Sequence, residues 1–250
     1  MRVFLIGFVI ALAFSLPYIA QLREWDPPSG LSLLYIPCTG LNYIITMFHE
    51  LGHFFTAWFF GSMAVPAFDF VHGGGVTPTS ERSMIVLGLV YVGFAYTLWL
   101  QWKGGEMRMF AIIAGVAALH IIASLTKWHD IIFFYMGHGG EMLVAGFCIF
   151  RATLDWPNDA RGRAEKYLNM VFGLYTLMHN LIMNVGLMTS AEMRNRYANA
   201  KGGHLMMDFD RIAEELNTKV QYVAGFSTLF LILCTALIAW LVITKPWEDA

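Results

Sequence analysis

Phe48-His49-Glu50-Leu51-Gly52-His53 decides the reading of this chain, because it lies inside an apolar stretch long enough to cross a membrane. On a helix His49 and His53 stand at i and i+4, so both imidazoles project from one face and can bind one zinc ion. Glu50 then lies beside the metal as the general base that takes a proton from water. With only eight His in 250 residues, chance yields about 0.01 such patterns. The competing reading, two helix-packing histidines with Glu50 as a buried hydrogen-bonding residue, has that low frequency against it. An ionisable residue at bilayer depth is also costly, and so marks function by default.

The surrounding composition is that of a membrane protein. Hydrophobic residues make up 57% of the chain and charged ones 14%, and the apolar runs exceed what a soluble core of this size needs. Seven stretches are candidate spans: Val3–Ala20, Thr39–Phe60, Ser83–Trp102, Met107–Thr126, Ile131–Phe150, Leu168–Met188 and Val220–Thr244. Tyr18, Trp25, Trp99, Trp102, Trp128, Trp156 and Trp247 cluster near span ends, as in an interfacial aromatic belt. The first span has a weakly charged start, and Pro17-Tyr18-Ile19-Ala20 makes a poor cleavage site, so it reads as a retained helix. The expected fold is an all-α polytopic membrane protein of about six to seven transmembrane helices, organised as one domain over residues 1–250. Cys38, Cys148 and Cys234 are scattered and read as packing residues. A net charge of −2 with no long basic run argues against nucleic acid as a partner.

Seven spans define two faces. Connections 61–82, 127–130 and 189–219 share one face with the N-terminus; connections 21–38, 103–106 and 151–167 share the other with the C-terminus. The 16 Lys and Arg divide equally between the faces, so the positive-inside rule does not orient the chain. Histidine divides unequally. His72, His129 and His204 fall in connections of the first face, and His53, His120, His138 and His179 lie six to nine residues inside their spans from that same face. At 1.5 Å per residue this is roughly 9–14 Å deep, with His49 a turn deeper. A metal site opening to that face accounts for this layer.

A catalytic zinc takes about three protein ligands and keeps one open position. Within the spans, Glu50 and Glu141 are the only acidic residues well away from an end. Glu141 closes Gly137-His138-Gly139-Gly140-Glu141, at the depth of His53, and His138 and Glu141 share a helical face at i, i+3. Two imidazoles, one carboxylate and a hydroxide neutralise Zn²⁺, which favours Glu141 as third ligand, with His138 as the alternative. The other of the two then orients a ligand or water. A glycine-rich helix crossing whose polar residues bond internally would explain the same residues structurally. His179, Asn180 and Asn184 form a further polar stripe, equally suited to holding substrate or to helix–helix hydrogen bonds. His120 and His129 read as interfacial or supporting, and His72 and His204 as solvated. Met207–Leu216 is amphipathic, with Phe209, Ile212, Ala213 and Leu216 on one face, and reads as a surface-docked helix.

The segment 39–102 resembles the site-2 protease family of intramembrane zinc metalloproteases. The resemblance rests on Phe48-His49-Glu50-Leu51-Gly52-His53, Gly61, Val65-Pro66-Ala67-Phe68-Asp69-Phe70 and Gly73-Gly74-Gly75-Val76-Thr77-Pro78, followed by another apolar helix. It implies a small β-like element after the zinc helix, with residues 64–78 presenting an extended substrate by main-chain hydrogen bonds. It also implies a site nearer the cytoplasmic face. The family's usual third ligand, an aspartate in Asn-Pro-Asp-Gly or Leu-Asp-Gly on a later membrane helix, has no counterpart here.

The expected function is therefore a multi-pass HExxH-type zinc metalloendopeptidase that hydrolyses a peptide bond in or near a substrate's transmembrane segment. Glu50 is its catalytic base, His49, His53 and Glu141 or His138 are its metal ligands, and a membrane protein is its substrate. The rivals are a zinc-binding membrane protein in transport or sensing and an inactive structural subunit. Glu50 discriminates among them, because only a hydrolase needs a carboxylate beside its metal ligands.

Overall fold

A computed structural model of the protein describes residues 2–22, 33–68, 74–153, 160–200 and 206–244. Trp25, Asp69, Phe70, His72, Gly73, Trp156, His204 and Trp247 lie outside these residues. Among the described residues the chain forms nine helices and four short strands. In order they are α1 (Arg2–Leu22), α2 (Tyr35–Phe59), β1 (Ser62–Ala64), β2 (Ala67–Phe68), β3 (Gly75–Val76), β4 (Thr79–Arg82), α3 (Met84–Gly104), α4 (Met107–Ser124), α5 (Trp128–Thr153), α6 (Ala160–Thr189), α7 (Ala191–Asn199), α8 (Asp208–Glu215) and α9 (Val220–Thr244).

Six of the helices, α1, α3, α4, α5, α6 and α9, are long and apolar enough to cross a membrane. The seventh long helix, α2, has the length but is less apolar, because Asn42, His49, Glu50 and His53 interrupt its hydrophobic run. The helix with the HExxH residues is thus the one long helix among the described residues that is not apolar enough to be a candidate span. Large apolar side chains on α3 and α4 point outward, Ile85, Leu89 and Leu119 among them.

Helix α5 is the hub. It packs against α2, α6, α8 and α9, while α1 lies along α6 and α3 pairs with α4. Core side chains of α2, α5 and α6, including Ile45, Met142, Ala145 and Tyr175, form one apolar cluster with Ala11 of α1. Its contact with α2 is unusually close. A Cβ on Gly52 would overlap the carbonyl oxygen of Met136, and one on Gly140 would stand 2.9 Å from the Gly52 Cα and the Phe48 carbonyl oxygen. Only glycine lets two backbones approach this far. Helix α5 stays continuous through Gly137, Gly139 and Gly140, and Gly140 lies in the crossing itself.

The strands form an interrupted antiparallel ribbon: Ser62 pairs with Arg82, Ala64 with Thr79, Ala67 with Val76 and Phe68 with Gly75. Pro66 and Pro78 fall at the interruption, where proline cannot donate to the ladder. This is the small β element expected after α2. Arg82 closes it by donating to the carbonyls of Phe60 and Ser124 at 2.8 and 2.7 Å, placing a cation at the C-terminal ends of α2 and α4. Ser83 caps α3, its hydroxyl accepting from the Val86 N–H.

The crossing predicts a contrast. Gly140→Val must push α2 off α5, and overpacking of that kind costs about 1–3 kcal/mol or more. Gly115→Ala on α4, where nothing lies within 4 Å, should be neutral or stabilising, by up to about 1 kcal/mol. Thermal unfolding of the two purified variants tests this; equal midpoints would refute the role given to the crossing.

Candidate metal centre

The crossing turns one face of α2 onto α5, and the HExxH side chains gather there. His49 Nε2 and His53 Nε2 lie 3.1 Å apart. Oδ2 of Asp208, the first residue of α8, lies 2.8 Å from His49 Nε2 and 3.2 Å from His53 Nε2. Three donors bound at 2.0–2.1 Å to a tetrahedral metal stand about 3.3–3.4 Å apart, so this triangle is near the required size. Convergence of two imidazole nitrogens on one carboxylate oxygen leaves lone pairs facing each other unless a cation or protons lie between them. Gly137 completes the space, since a Cβ there would sit 2.5–2.6 Å from both Nε2 atoms.

The rear of each imidazole is held. His49 Nδ1 donates to Glu141 Oε1 at 2.6 Å, and His53 Nδ1 donates to the Phe133 carbonyl at 2.8 Å. These bonds put the proton on Nδ1 and turn the Nε2 lone pair of each ring toward Asp208. Asn180 Nδ2 of α6 in turn donates to Glu141 Oε2 at 2.6 Å. Glu141 therefore touches the ring nitrogen of His49 that faces away from the triangle, and Asp208 takes the place beside it.

His138 stands edge-on to His49, with ring centroids 4.8 Å apart, and packs on Phe209. Its Nδ1 lies 3.6 Å from Glu141 Oε2, beyond hydrogen-bond range, and has no hydrogen-bond partner among the described residues. His49, His138 and Asp208 each offer a ligand atom within 4.8 Å of the others, so this group could also hold a metal ion. The triangle with His53 is tighter, every side being 3.2 Å or less.

Glu50 is buried and held from the β ribbon. Thr77 Oγ1 donates to its Oε2 at 2.6 Å, and the Gly75 backbone lies so close that a Cβ there would overlap the carboxylate. Glu50 and the donor triangle line one cavity of about 500 Å³. Its walls come from α2, α5 and α6 and from two connections, residues 74–79 and the segment carrying Tyr197 and Met206–Arg211. Both connections belong to the face toward which the sequence's histidine layer leans.

Asp208 comes from the segment read from sequence as a docked amphipathic helix. Phe209, Ile212 and Ala213 are indeed buried against α5, α6 and α9, while Leu216 stays exposed. Its first turn is fixed by the Phe209 N–H, which donates to the Tyr197 hydroxyl of α7 at 3.2 Å. Burial pushes the Asp208 carboxyl up, but its close contacts with His49 and His53 outweigh burial and hold the group well below the ordinary carboxylate range. Burial and then the Asp208 charge push the Tyr197 phenol well above its usual value. Asp208 lies outside the spans in which the sequence places an acidic ligand; its signal there is an aspartate that opens an amphipathic helix.

The remaining polar residues divide. His179 lines the cavity and stacks on Tyr18, with ring centroids 4.3 Å apart. Asn184 Nδ2 donates to Ser227 Oγ of α9 at 3.0 Å. His120 donates to the Phe59 carbonyl among Phe59, Phe60 and Tyr91, and His129 sits against Thr126 and Asp130. Neither joins the triangle.

No family model, curated protein or solved structure matches this chain.

The geometry ranks three substitutions by retention of a divalent metal. Asp208→Ala should lose it as His49→Ala does. Glu141→Gln should weaken it about 10–100-fold, the usual effect of disturbing a group behind a ligand. His138→Ala should change it least. Metal content after chelator competition measures all three, and full retention in Asp208→Ala with loss in Glu141→Ala would reverse the roles.

Proposed function

We propose that the protein is a multi-pass membrane zinc endopeptidase that hydrolyses a peptide bond in or near a substrate's transmembrane segment, a divergent relative of the site-2 proteases. The observation that carries this reading is the Glu50 carboxylate, fixed by Thr77 at the wall of the cavity into which His49, His53 and Asp208 turn their donor atoms. A transporter or a scaffold has no use for a carboxylate held in that position.

On this reading His49, His53 and Asp208 hold the zinc. Two neutral imidazoles and one carboxylate leave it a net positive charge. The bound ion supplies Lewis acidity, lowering the pKa of water to about 7 and polarising the scissile carbonyl. The chain's own residues do the rest. Thr77 holds the Glu50 carboxylate, which would accept the proton of the attacking water. Glu50 then gives that proton to the departing amine as the C–N bond breaks. Glu141 and the Phe133 carbonyl keep His49 and His53 in the ligating tautomer.

The substrate must unwind first, because a membrane helix hides its carbonyls in i→i−4 bonds. Residues 74–79 line the cavity beside Glu50 and supply extended backbone along which an unwound segment can run. The outward apolar faces of α3, α4 and α9 suit contact with lipid, and the family resemblance would make the connections that line the cavity cytoplasmic.

Glu50→Gln separates the endopeptidase from a non-proteolytic zinc protein. The amide keeps the side chain's size and the Thr77 contact but accepts no proton. Metal content and unfolding temperature should stay unchanged, while cleavage of a transmembrane test substrate with a Gly or Pro in its span falls at least ~10²-fold. Equal cleavage by both proteins removes Glu50 from the mechanism, and cleavage by neither moves the reading to a zinc-binding transporter or sensor.

A further inference from the structure

Among the residues that line the cavity, Arg211 is the only lysine or arginine. It stands one turn beyond Asp208 on α8, so it faces the same space as the donor triangle. Two contacts fix it. Its guanidinium lies over the Phe134 ring, 5.1 Å from the centroid, and its Nε donates to the Met206 carbonyl at 3.2 Å. No carboxylate among the described residues pairs with it, although the other charged groups of the cavity are engaged: Glu50 by Thr77, Glu141 by His49 and Asn180, and Asp208 by both imidazoles.

A guanidinium held by a ring face and one N–H keeps its two Nη groups for a ligand. The planar fork these make matches a carboxylate bidentately. Arg211 is half-buried and borders the cavity together with Tyr197 and Met206, so a carboxylate that enters the cavity meets its guanidinium.

We propose that Arg211 is a specificity-determining group that receives a carboxylate of the substrate, an Asp or Glu side chain close to the bond being cut. This rests on the endopeptidase reading of the site. It makes the preferred substrate a membrane segment whose unwound end carries an acidic residue on the cavity's open face.

The experiment uses zinc-loaded, detergent-solubilised Glu50→Gln protein, so that ligand is bound and not consumed. Labelled peptides spanning the test substrate's cleavage region, identical except for Glu or Gln at successive positions, are titrated by fluorescence anisotropy. At one position the Glu peptide should bind about tenfold more tightly than its Gln twin, the usual worth of a hydrogen bond to a charged group. Adding Arg211→Gln should bring that ratio to about one, and Arg211→Glu should invert it. Metal content is measured in each variant, since Asp208 is a turn away. With Arg211 intact, salt gives a second measurement: the ratio should shrink as salt rises.

No positional preference, or a preference that Arg211→Gln leaves intact, overturns the proposal. So does tighter binding of the protein to phosphatidylglycerol than to phosphatidylcholine vesicles that depends on Arg211 without any Glu preference, which would assign the guanidinium to lipid headgroups. Cleavage of the same peptides with Glu50 restored tests the parent reading separately. Cleavage without Glu preference defeats the Arg211 assignment alone, whereas Glu preference without cleavage keeps the anion site and defeats the endopeptidase.

Discussion

The glycine-mediated contact between α2 and α5 is the constraint on which the rest of the site depends. His49 and His53 would share a face on any helix. Their meeting with Glu141 and the Phe133 carbonyl requires α5 to lie almost against the α2 backbone. Gly52 and Gly140 permit that approach, and Gly137, immediately before His138-Gly139-Gly140-Glu141, keeps the Nε2 atoms clear of a side chain. The same crossing thus sets the distance between helices and the volume in which a metal ion would sit. Six helices are long and apolar enough to cross a membrane, and between helices surrounded by lipid, association by small residues and buried hydrogen bonds takes the place of the hydrophobic effect.

Burying two carboxylates beside three histidines is costly unless each charge is answered. The structure answers them in series: Asn180 holds Glu141, Glu141 holds His49, and Asp208 faces His49 and His53 together. No single pair in that chain is self-sufficient. His49 carries a carboxylate on each ring nitrogen, an arrangement that favours a positive charge on or near the ring. A divalent cation supplies that charge without asking two neighbouring imidazoles to share protons.

The sequence made α2 legible as a helix with His49 and His53 on one face, although it begins four residues earlier than expected and, unlike the other six long helices, is not apolar enough to be a candidate span. The family resemblance of residues 64–78 pointed to the β element, which the glycine and proline pattern alone leaves as a strand-compatible loop, and the period of Phe209, Ile212 and Ala213 gave the inward face of α8. What stayed hidden were relations between elements. Glu141 and His138 share depth with His53, but depth along a helix says nothing of which ring nitrogen a carboxylate meets, and Glu141 meets Nδ1. Asp208 was invisible for a different reason. A residue outside the spans has no depth in the sequence, and only the docking of α8 gives it one. Gly75 and Thr77 belonged to a strand-compatible loop whose fold-back onto Glu50 is likewise a tertiary event.

The placement of Asp208 carries a consequence for how such a site assembles. Its helix is attached by a small apolar face, Phe209 and Ile212 being almost fully buried, each worth about 1.5–3 kcal/mol, and by the hydrogen bond to Tyr197. A ligand on a transmembrane helix would be fixed once the bundle formed, whereas a ligand on a docked surface helix is fixed only while that helix is seated. Metal affinity and α8 docking are then thermodynamically linked. Binding that needs Asp208 stabilises the docked helix by the same free energy that docking contributes to binding. Arg211 rides on the same helix, and Tyr197 of α7, which bonds its first turn, lines the same cavity. The wall that would recognise a substrate is therefore continuous with the wall that completes the metal centre, and both rest on three apolar side chains pressed against α5, α6 and α9.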